Sequence, residues 1–567
     1  MSQPSSTARH AAARRRSSVG RYLLIGLTVM LGLLVVSWAL GRAFLEVQIS
    51  PHQPPAASPE PAPGATLREV YETLQAAGNG TPELRLLEGN VEAWVARWRL
   101  IASAERRLDV NYFILKPDVF GAAFLGHLQH KAQQGVQVRV MLDGMGVRMS
   151  GIRGFNGYLD ALADTPNLEA RMYRPLRTRM LDMFLTLNPA ALAAGEHAKL
   201  LLADDLHGLT GGRNISDEYF APPQDNPLTF RDTDVRLSGR DTAASLRRVF
   251  EARYEAPESR GVVRRQLADH DDGPALRLAY LAMDAWLHDA PLPAAVRAEI
   301  ERLGLPWLKE LEAMPTLRGA AALPPTGVTR AEVRLLDSGT RLLQGDDPVN
   351  RDLARLVGAA QQDVFIQSPY LILPDRAVEV LAEAAERGVR IVLYTNGPTS
   401  TDLPLTQALF LERWPELLAR VPTLRLYVAG DRRNVHGKLA VIDGELLLVG
   451  TYNLDPISMA LNSELIAAVW SRELSALVIG ARRALLAGEG GNVREYRIAR
   501  HPDGTPQRDA RGRVLIAAGS DEHVEAPPAV GRYRAMLRAV QTMPGNLPFY
   551  LSGPGPGPLA RQEAAAD

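Results

Sequence analysis

Apolar residues recur along this chain in a strand, helix, strand order that occurs twice. In the first half, an amphipathic helix at Phe120–Gln133 precedes the alternating strand Val136–Leu142. In the second half, the helix Ala377–Arg387 precedes the strand Val389–Tyr394, and a glycine separates helix from strand both times. Another strand precedes each helix, and this order favours parallel pairing with helices packed on the sheet. The pattern predicts an α/β chain made of two similar repeats.

A different pattern marks the N-terminal region. Tyr22 to Leu40 is an uncharged run of 19 residues rich in Leu, Val and Ile, and the segment before it has five arginines and no acid. As a helix, this run would be about 28 Å long, close to the hydrocarbon thickness of a bilayer. It predicts a transmembrane anchor; the alternative is a cleaved signal, whose apolar region is usually about 7–15 residues. Because basic flanks stay in the cytoplasm, the rest of the chain is expected outside the cytoplasmic face of the membrane.

Composition shifts and proline-rich stretches divide the chain into seven segments. The predicted segments are a basic cytoplasmic N-terminus (1–21), a transmembrane anchor (22–45), a Pro-rich linker (46–83), a first repeat (84–255), a helical insert (256–331), a second repeat (332–484) and a C-terminal extension (485–567). The insert is expected to form a cover or to contact the membrane.

One apolar face outside the anchor has two interpretations. Met180, Met183, Phe184 and Leu187 are spaced like one side of a helix, and Arg177 and Arg179 lie nearby. The face either packs in the protein core or dips into a layer of lipid headgroups.

Each repeat ends in the same polar signature. In both, lysine follows histidine at +2, aspartate at +7 and asparagine at +17, which gives the sets His197, Lys199, Asp204, Asn214 and His436, Lys438, Asp443, Asn453. Only five of the 64 basic residues are lysines, and two of these five lie in the signatures. These positions therefore favour a compact ammonium over a planar guanidinium.

The spacing suggests phosphodiester chemistry. Histidine and lysine two residues apart project from the same face of a strand, and repeats packed about a pseudo-twofold axis would bring both pairs to one shared site. Such a site lacks the carboxylates that magnesium or calcium needs, so neither a metal nor a cofactor is expected. One neutral imidazole could attack phosphorus while the other, protonated, serves the leaving alkoxide. The candidate phosphate-binding residues are Asn214, Asn453, Lys199 and Lys438.

Two acids are candidates to orient the imidazoles. Asp232 and Glu464 each stand where a strand opens, and we expect them to accept the Nδ1 hydrogen bonds of the two histidines. The alternative is that both are ordinary strand-end acids. The candidate catalytic set comprises His197, Lys199, Asp204, His436, Lys438 and Asp443. Within this set Asp204 and Asp443 have odd offsets from histidine, so they point across the strand and are expected to stabilise the turn.

The composition of the chain limits the classes of partner and of site that it can have. The 64 basic and 64 acidic residues cancel, which argues against a nucleic-acid partner. The absence of cysteine excludes disulfides, thiolate zinc sites and cysteine nucleophiles. With 46% hydrophobic residues, the chain can form a sizeable core.

The paired His-x-Lys-x4-Asp motifs resemble the phospholipase D superfamily over roughly residues 88–255 and 332–480. Several further segments resemble bacterial cardiolipin synthases of the phospholipase D type: GGRNISDEYF (211–220), RDTDVRLSG (231–239), SPYLILP (368–374), TNGPTSTDLP (395–404) and GTYNLDPISMALNSE (450–464). The resemblance implies that a phosphatidyl group is transferred to His197, with His436 as the acid, and then to a second glycerophospholipid without a metal. It also implies glycerophospholipid partners, namely phosphatidylglycerol and, as a further candidate, phosphatidylethanolamine, at a membrane.

Three alternatives to this transphosphatidylase remain. A phospholipase D hydrolase or a phosphodiester nuclease could use the same site, because water and alcohols attack the same intermediate. A non-catalytic, membrane-tethered lipid-binding protein belongs to another class, and the presence of both motifs in complete form argues against it.

Overall fold

The structure of this chain is a computed structural model. It describes residues 58–74, 78–150, 152–187, 189–262, 273–325, 327–339, 347–487, 493–518, 520 and 527–541, and, nearer the N-terminus, residues 28, 30–32, 35–39 and 41. The predicted N-terminus (1–21), much of the predicted anchor (22–45), the first part of the predicted linker and residues 542–567 lie outside the described residues.

The chain divides into two compact units. One comprises Met1–Gln53 and Arg177–Leu192, and the other comprises Pro54–Leu176 and Ala193–Asp567. The second unit contains the predicted second repeat and all of the predicted first repeat except residues 177–192, and it forms two nine-stranded sheets flanked by helices. The expected mixed α/β class is confirmed for this unit.

The described strands and helices follow each other closely along the chain. In chain order the strands are β1 (Gly78–Gly80), β2 (Glu83–Leu87), β3 (Arg107–Tyr112), β4 (Gln137–Asp143), β5 (Leu168–Tyr173), β6 (Leu200–Ala203), β7 (His207–Gly211), β8 (Asp234–Ser238), β9 (Ser259–Gly261), β10 (Thr329–Arg330), β11 (Glu332–Asp337), β12 (Asp363–Gln367), β13 (Arg390–Thr395), β14 (Leu424–Ala429), β15 (Lys438–Ile442), β16 (Leu446–Gly450), β17 (Leu465–Trp470) and β18 (Val493–Tyr496). The helices are α1 (Leu67–Thr73), α2 (Asn90–Ser103), α3 (Val119–Gln133), α4 (Gly144–Met149), α5 (Ile152–Ala163), α6 (Leu176–Thr186), α7 (Asp217–Phe220), α8 (Arg240–Tyr254), α9 (Gly273–Leu287), α10 (Ala294–Arg302), α11 (Trp307–Glu312), α12 (Pro348–Gly358), α13 (Asp375–Glu386), α14 (Pro404–Arg420), α15 (Pro456–Ala460), α16 (Arg472–Leu486) and α17 (Pro528–Gln541).

The two sheets have the same strand order. One runs β10-β2-β8-β7-β6-β3-β4-β5-β9, and the other runs β1-β11-β17-β16-β15-β12-β13-β14-β18. The predicted parallel pairs are confirmed as β3 with β4 and β12 with β13. β6 and β15 lie at the centre of their sheets and are buried along their whole length, which explains their continuous apolar sequences.

The helix-to-strand transitions use glycine for its backbone freedom. Gly135 follows α3 with φ of +96°, and Gly388 follows α13 with φ of +89°. An L side chain is strained at these angles, so glycine ends each helix and starts the turn into the next strand. Both transitions lie where the sequence predicts them.

The two sheets exchange their edge strands. β1 directly precedes β2 along the chain but pairs with β11 in the other sheet, and β10 directly precedes β11 but pairs with β2. The predicted linker 46–83 therefore contains α1, which packs on the second repeat, and β1, which pairs with it. Likewise, β10 lies within the predicted insert 256–331.

The insert is largely helical and belongs to the core of the first repeat. Its helix α9 packs along α3, where Gly126 allows close approach to the Leu276 carbonyl group. Leu276, Met283 and Trp307 are all buried in the same core as α3. The C-terminal extension adds β18 to the edge of the second sheet, paired with β14.

The other unit contains the apolar face at residues 180–187. Met180, Phe184 and Leu187 are exposed, whereas Leu185 is buried. The interpretation of this face as core is therefore wrong for these three exposed side chains. In the part of the chain that the structure describes, no helix is both long enough and apolar enough to cross a membrane.

Candidate active site

Both polar signatures lie at corresponding places in the two sheets. His197 and Lys199 come directly before β6, and His436 and Lys438 stand at the start of β15. Each histidine is bound by its backbone to the other repeat: the His197 N–H donates to the Ser463 carbonyl at 3.0 Å, and the His436 N–H donates to the Arg231 carbonyl at 2.8 Å. These two bridges bring the ends of the repeats together at one site, as the pseudo-twofold prediction requires.

Each imidazole is paired with an acid from the other repeat. His197 Nδ1 lies 3.0 Å from both carboxylate oxygens of Glu464, and His436 Nδ1 lies 2.5 Å from Asp232 Oδ2. The bridges explain this exchange, because the bridging residues Ser463 and Arg231 directly precede the two acids. A carboxylate at Nδ1 holds the N–H there and leaves the Nε2 lone pair for chemistry.

Burial controls the charge of the imidazoles. Both histidines are buried, and burial lowers the pKa of His197 to about 4 although the Glu464 carboxylate opposes the shift. The pKa of His436 is also lowered, by burial and by Lys438, against the opposing effect of Asp232. His197 is therefore neutral at pH 7, which is the state that a nucleophile needs.

The acids remain ionised beside these groups. Burial alone would raise the pKa of Glu464 and of Asp232, but the neighbouring basic groups lower both below their ordinary values. His197 and Lys199 stabilise the charge of Glu464, and Lys438 and His436 stabilise that of Asp232. Thr451 also donates its hydroxyl to Glu464 Oε2 at 2.5 Å.

The two lysines bring positive charge into a buried space. Lys199 Nζ donates to the His197 carbonyl at 2.7 Å, and Lys438 Nζ contacts the His436 carbonyl at 2.5 Å. Burial lowers the pKa of Lys199 to about 7 and that of Lys438 to about 8. An entering phosphate would stabilise both ammonium groups. Among the described residues no cluster of three or more His, Cys, Asp and Glu could hold a metal ion.

The two asparagines have different surroundings. Asn214 accepts from the Ile114 N–H at 3.1 Å and donates to the Tyr219 hydroxyl at 2.9 Å. Asn453 is buried, and its Oδ1 has no hydrogen-bond partner in the described part of the chain. Asn453 thus retains unsatisfied hydrogen-bonding capacity, whereas Asn214 also positions a tyrosine.

That tyrosine is a site residue to which the sequence pattern assigned no role. The Tyr219 hydroxyl lies 3.4 Å from His436 Nε2, on the side of the ring away from Asp232. Aromatic rings flank both imidazoles: Phe113 lies edge-on to His197 at 5.0 Å, and Phe230 stacks on His436 at 5.6 Å. Tyr219 stands in the GGRNISDEYF segment, so the family resemblance included this tyrosine but gave it no function.

Asp204 and Asp443 lie away from the imidazoles and stabilise turns. The Asp204 carboxylate accepts three backbone N–H groups at 2.8–2.9 Å, from Glu105, Arg106 and Arg107. Asp443 accepts the N–H groups of residues 361–363 at 2.8–3.0 Å in the same way. Both aspartates have φ of +52°. The structure thus places them where the odd offset predicts.

A second polar network adjoins the second repeat's motif. Tyr370 donates its hydroxyl to Asp402 Oδ1 at 2.9 Å, and Asn434 Nδ2 donates to the same oxygen at 2.8 Å. Asp402 opposes the lowering of the Lys438 pKa, so its charge acts at the site. Tyr370 and Asp402 belong to the SPYLILP and TNGPTSTDLP segments, which the sequence marked without giving them roles.

Comparison with known proteins gives independent evidence on the family that this chain resembles. The family model described as "Cardiolipin synthase, PLD-like domain" matches residues 353–480. Cardiolipin synthase C of Escherichia coli strain K12 is 26% identical over 426 residues, which cover 69% of this chain and 82% of that protein. The probable cardiolipin synthase YwiE of Bacillus subtilis strain 168 is 23% identical over 387 residues, covering 68% of this chain and 62% of that protein.

A solved structure shares the fold. The crystal structure of phosphatidylserine synthase from Haemophilus influenzae Rd KW20 superposes with a TM-score of 0.52 at 15% sequence identity, covering 76% of this chain and 91% of that one. At this identity the likeness shows a common fold and says nothing more about the substrate.

Proposed function

This chain belongs to the phospholipase D superfamily as a cardiolipin synthase-like enzyme of the phosphatidyltransferase type, and from this premise we propose that it transfers a phosphatidyl group between glycerophospholipids at a membrane. The observation that carries the proposal is the pair of exchanged histidine–carboxylate contacts, enclosed with two buried lysines. Two imidazoles whose Nδ1 atoms are held by carboxylates, beside two ammonium groups, suit in-line substitution at a phosphodiester.

In the first step His197 Nε2 attacks the phosphorus of the donor lipid. The N–P bond forms, the P–O bond to the leaving alcohol breaks, and His436 gives its Nε2 proton to the departing oxygen. His197 suits the nucleophile because burial keeps it neutral, while the phosphate charge raises the proton affinity of His436 when substrate enters. The product of this step is a phosphatidyl group on His197.

In the second step an acceptor hydroxyl displaces His197. The acceptor gives its proton to His436 Nε2 as its oxygen bonds to phosphorus and the N–P bond breaks, which restores both imidazoles. Lys199, Lys438 and Asn453 are the groups that would neutralise and orient the non-bridging oxygens. Glu464 and Asp232 hold the proton at each Nδ1 throughout.

The membrane location belongs to the same proposal. The apolar run 22–40 anchors the chain in the inner membrane, with the basic segment 1–21 in the cytoplasm and the catalytic repeats in the periplasm. An anchored enzyme meets its lipid substrates in the membrane that holds it. Phosphatidylglycerol, whose headgroup carries free hydroxyls, can serve as both donor and acceptor, and phosphatidylethanolamine is a second candidate donor.

The test uses full-length protein in EDTA with vesicles of phosphatidylglycerol and phosphatidylethanolamine, and identifies the products by lipid mass spectrometry. His197→Ala and His436→Ala are the controls. Cardiolipin that forms only with the unaltered protein supports transfer to a lipid alcohol. Phosphatidic acid as the sole product makes the protein a hydrolase, and no lipid product at all contradicts the proposal and favours a nuclease or a lipid-binding protein.

A further inference from the structure

Helix α6 presents a continuous apolar face to the surroundings. Met180, Leu181, Phe184 and Leu187 are 52%, 55%, 58% and 71% exposed. Met180, Leu181 and Phe184 lie on one side of α6, which has only 11 residues and a length of about 16 Å, and Leu187 follows in the turn directly after the helix. Exposed apolar side chains grouped in this way mark a contact surface, whereas scattered ones are ordinary.

The opposite side of α6 packs on the N-terminal segment of the same unit. Leu185 is buried, and a Cβ placed on Gly41 would lie only 2.8 Å from Leu185 Cδ2. Four large apolar side chains of that segment are exposed as well: Met30, Leu31, Val35 and Val36 are between 52% and 62% exposed. Two adjoining helical segments of one unit thus expose apolar side chains, so one apolar environment would suit both.

A hydrogen bond holds the end of α6 and the N-terminal segment at the same level. The Trp38 indole N–H donates to the Phe184 carbonyl at 3.1 Å. That carbonyl lies in the last turn of α6, where helical carbonyls have no partner in their own helix. Either group left unpaired in an apolar layer would be costly, and the bond satisfies both.

Trp38 also indicates where this level lies. It stands two residues before the end of the apolar run at Leu40, and tryptophan concentrates at the boundary between hydrocarbon and water. The last turn of α6 is therefore fixed near the non-cytoplasmic end of the anchor. A short helix at that level with an apolar outer face suits an interfacial position.

We propose that α6 lies in the periplasmic interface of the bilayer, with Met180, Leu181, Phe184 and Leu187 inserted among the lipids. It forms a second membrane contact beside the anchor. This inference rests on the proposed anchoring, and its occupant is the phospholipid bilayer itself.

The absence of cysteine makes a direct test possible. Phe184→Cys and Leu187→Cys each create a single thiol for a polarity-sensitive nitrobenzoxadiazole dye, and Arg302→Cys on the exposed side of α10 is the matched control. The labelled full-length proteins are reconstituted in phosphatidylglycerol and phosphatidylethanolamine vesicles containing lipids with a nitroxide near the headgroup. We expect blue-shifted emission and strong quenching at positions 184 and 187, and neither effect at 302.

The outcomes separate this inference from the proposals beneath it. Protein that floats with the vesicles but shows no more quenching at 184 and 187 than at 302 overturns the α6 contact alone. Protein that does not float overturns the anchoring and this inference together. The lipid products of the unlabelled enzyme test the catalytic proposal separately.

A paired substitution tests the consequence for catalysis. Phe184→Asp with Leu187→Asp should lower turnover of vesicle lipids severalfold and leave turnover of a short-chain phospholipid, used below its micelle concentration, unchanged. Leu303→Asp, at an exposed leucine of the second unit, should change neither rate. Equal losses on both substrates would contradict a role in membrane contact.

Discussion

Asp204→Ala removes the acceptor of three backbone N–H groups without touching the imidazoles. The three hydrogen bonds of 2.8–2.9 Å tie the turn after β6 to the segment before β3. At about 1 kcal/mol for each bond, the substitution should cost about 2–4 kcal/mol of unfolding free energy. The φ of +52° adds strain for alanine, because the left-handed region disfavours a side chain that cannot hydrogen-bond locally.

The assay combines thermal unfolding with turnover measured below the unfolding temperature. We expect the midpoint to fall by about 5 °C or more and turnover per folded molecule to stay within about twofold of normal. Asp205→Ala is the matched control, since its half-exposed carboxylate pairs with Arg106 and Arg247 and accepts no backbone N–H among the described contacts, and its loss should stay within about 1 kcal/mol. A hundredfold fall in turnover with an unchanged midpoint would refute the structural role of Asp204.

The stability that Asp204→Ala removes depends on pH in a definite direction. Partial burial alone would raise the pKa of Asp204, but the three N–H groups lower it overall. Stabilisation by this carboxylate is therefore present above the ordinary aspartate pKa and disappears as the pH falls through the lowered one. The difference in midpoint between the unaltered protein and Asp204→Ala should accordingly shrink in strong acid.

Three further predictions concern the site itself. Glu464→Gln and Asp232→Asn should each lower turnover about 10²- to 10⁴-fold with the fold retained, because the imidazoles lose the charge that fixes their tautomer; normal turnover with normal circular dichroism would contradict this. The pH profile of kcat/KM should fall below about pH 4 as His197 gains a proton, and it should fall on the alkaline side as His436 and, above about pH 7, Lys199 lose theirs. Lys199→Arg should remove the Lys199 contribution to the alkaline limb, and an unchanged limb would assign it to His436 alone. Tyr219→Phe should lower turnover roughly tenfold, because the Asn214 amide loses its acceptor and His436 loses a neighbouring hydroxyl. Steady-state kinetics measure this loss, and Tyr533→Phe, at an exposed tyrosine, is the control that shows whether the loss is specific to Tyr219.

Much of the site could be predicted from local sequence patterns. His197 and Lys199 lie two residues apart, so strand periodicity alone places them on one face. Gly135 and Gly388 mark helix ends because a left-handed turn needs glycine there. Asp204 was separable from the histidine face by its odd offset.

Other features depend on contacts that no local pattern encodes. The sequence named Glu464 and Asp232 as orienting acids but could not say which histidine each contacts, because these contacts join residues 267 and 204 positions apart in the chain. β1 and β10 have only three and two residues, too few for a periodic signal. Each pairs with a strand of the other repeat, and not with the strand that follows it in the chain. Tyr219 reaches His436 from a short loop helix, so its position follows from tertiary packing.

The exchange of acids between repeats also sets the order in which the enzyme can become active. A ribosome makes His197 267 residues before it makes Glu464. At about 5–20 residues per second that interval lasts about 13–53 s. Throughout it the first repeat has its histidine and lysine but lacks the carboxylate that pairs with His197. Under the proposed mechanism, the nascent chain would therefore meet lipid as it emerges without starting the reaction, and catalysis would begin only when the second repeat has folded against the first.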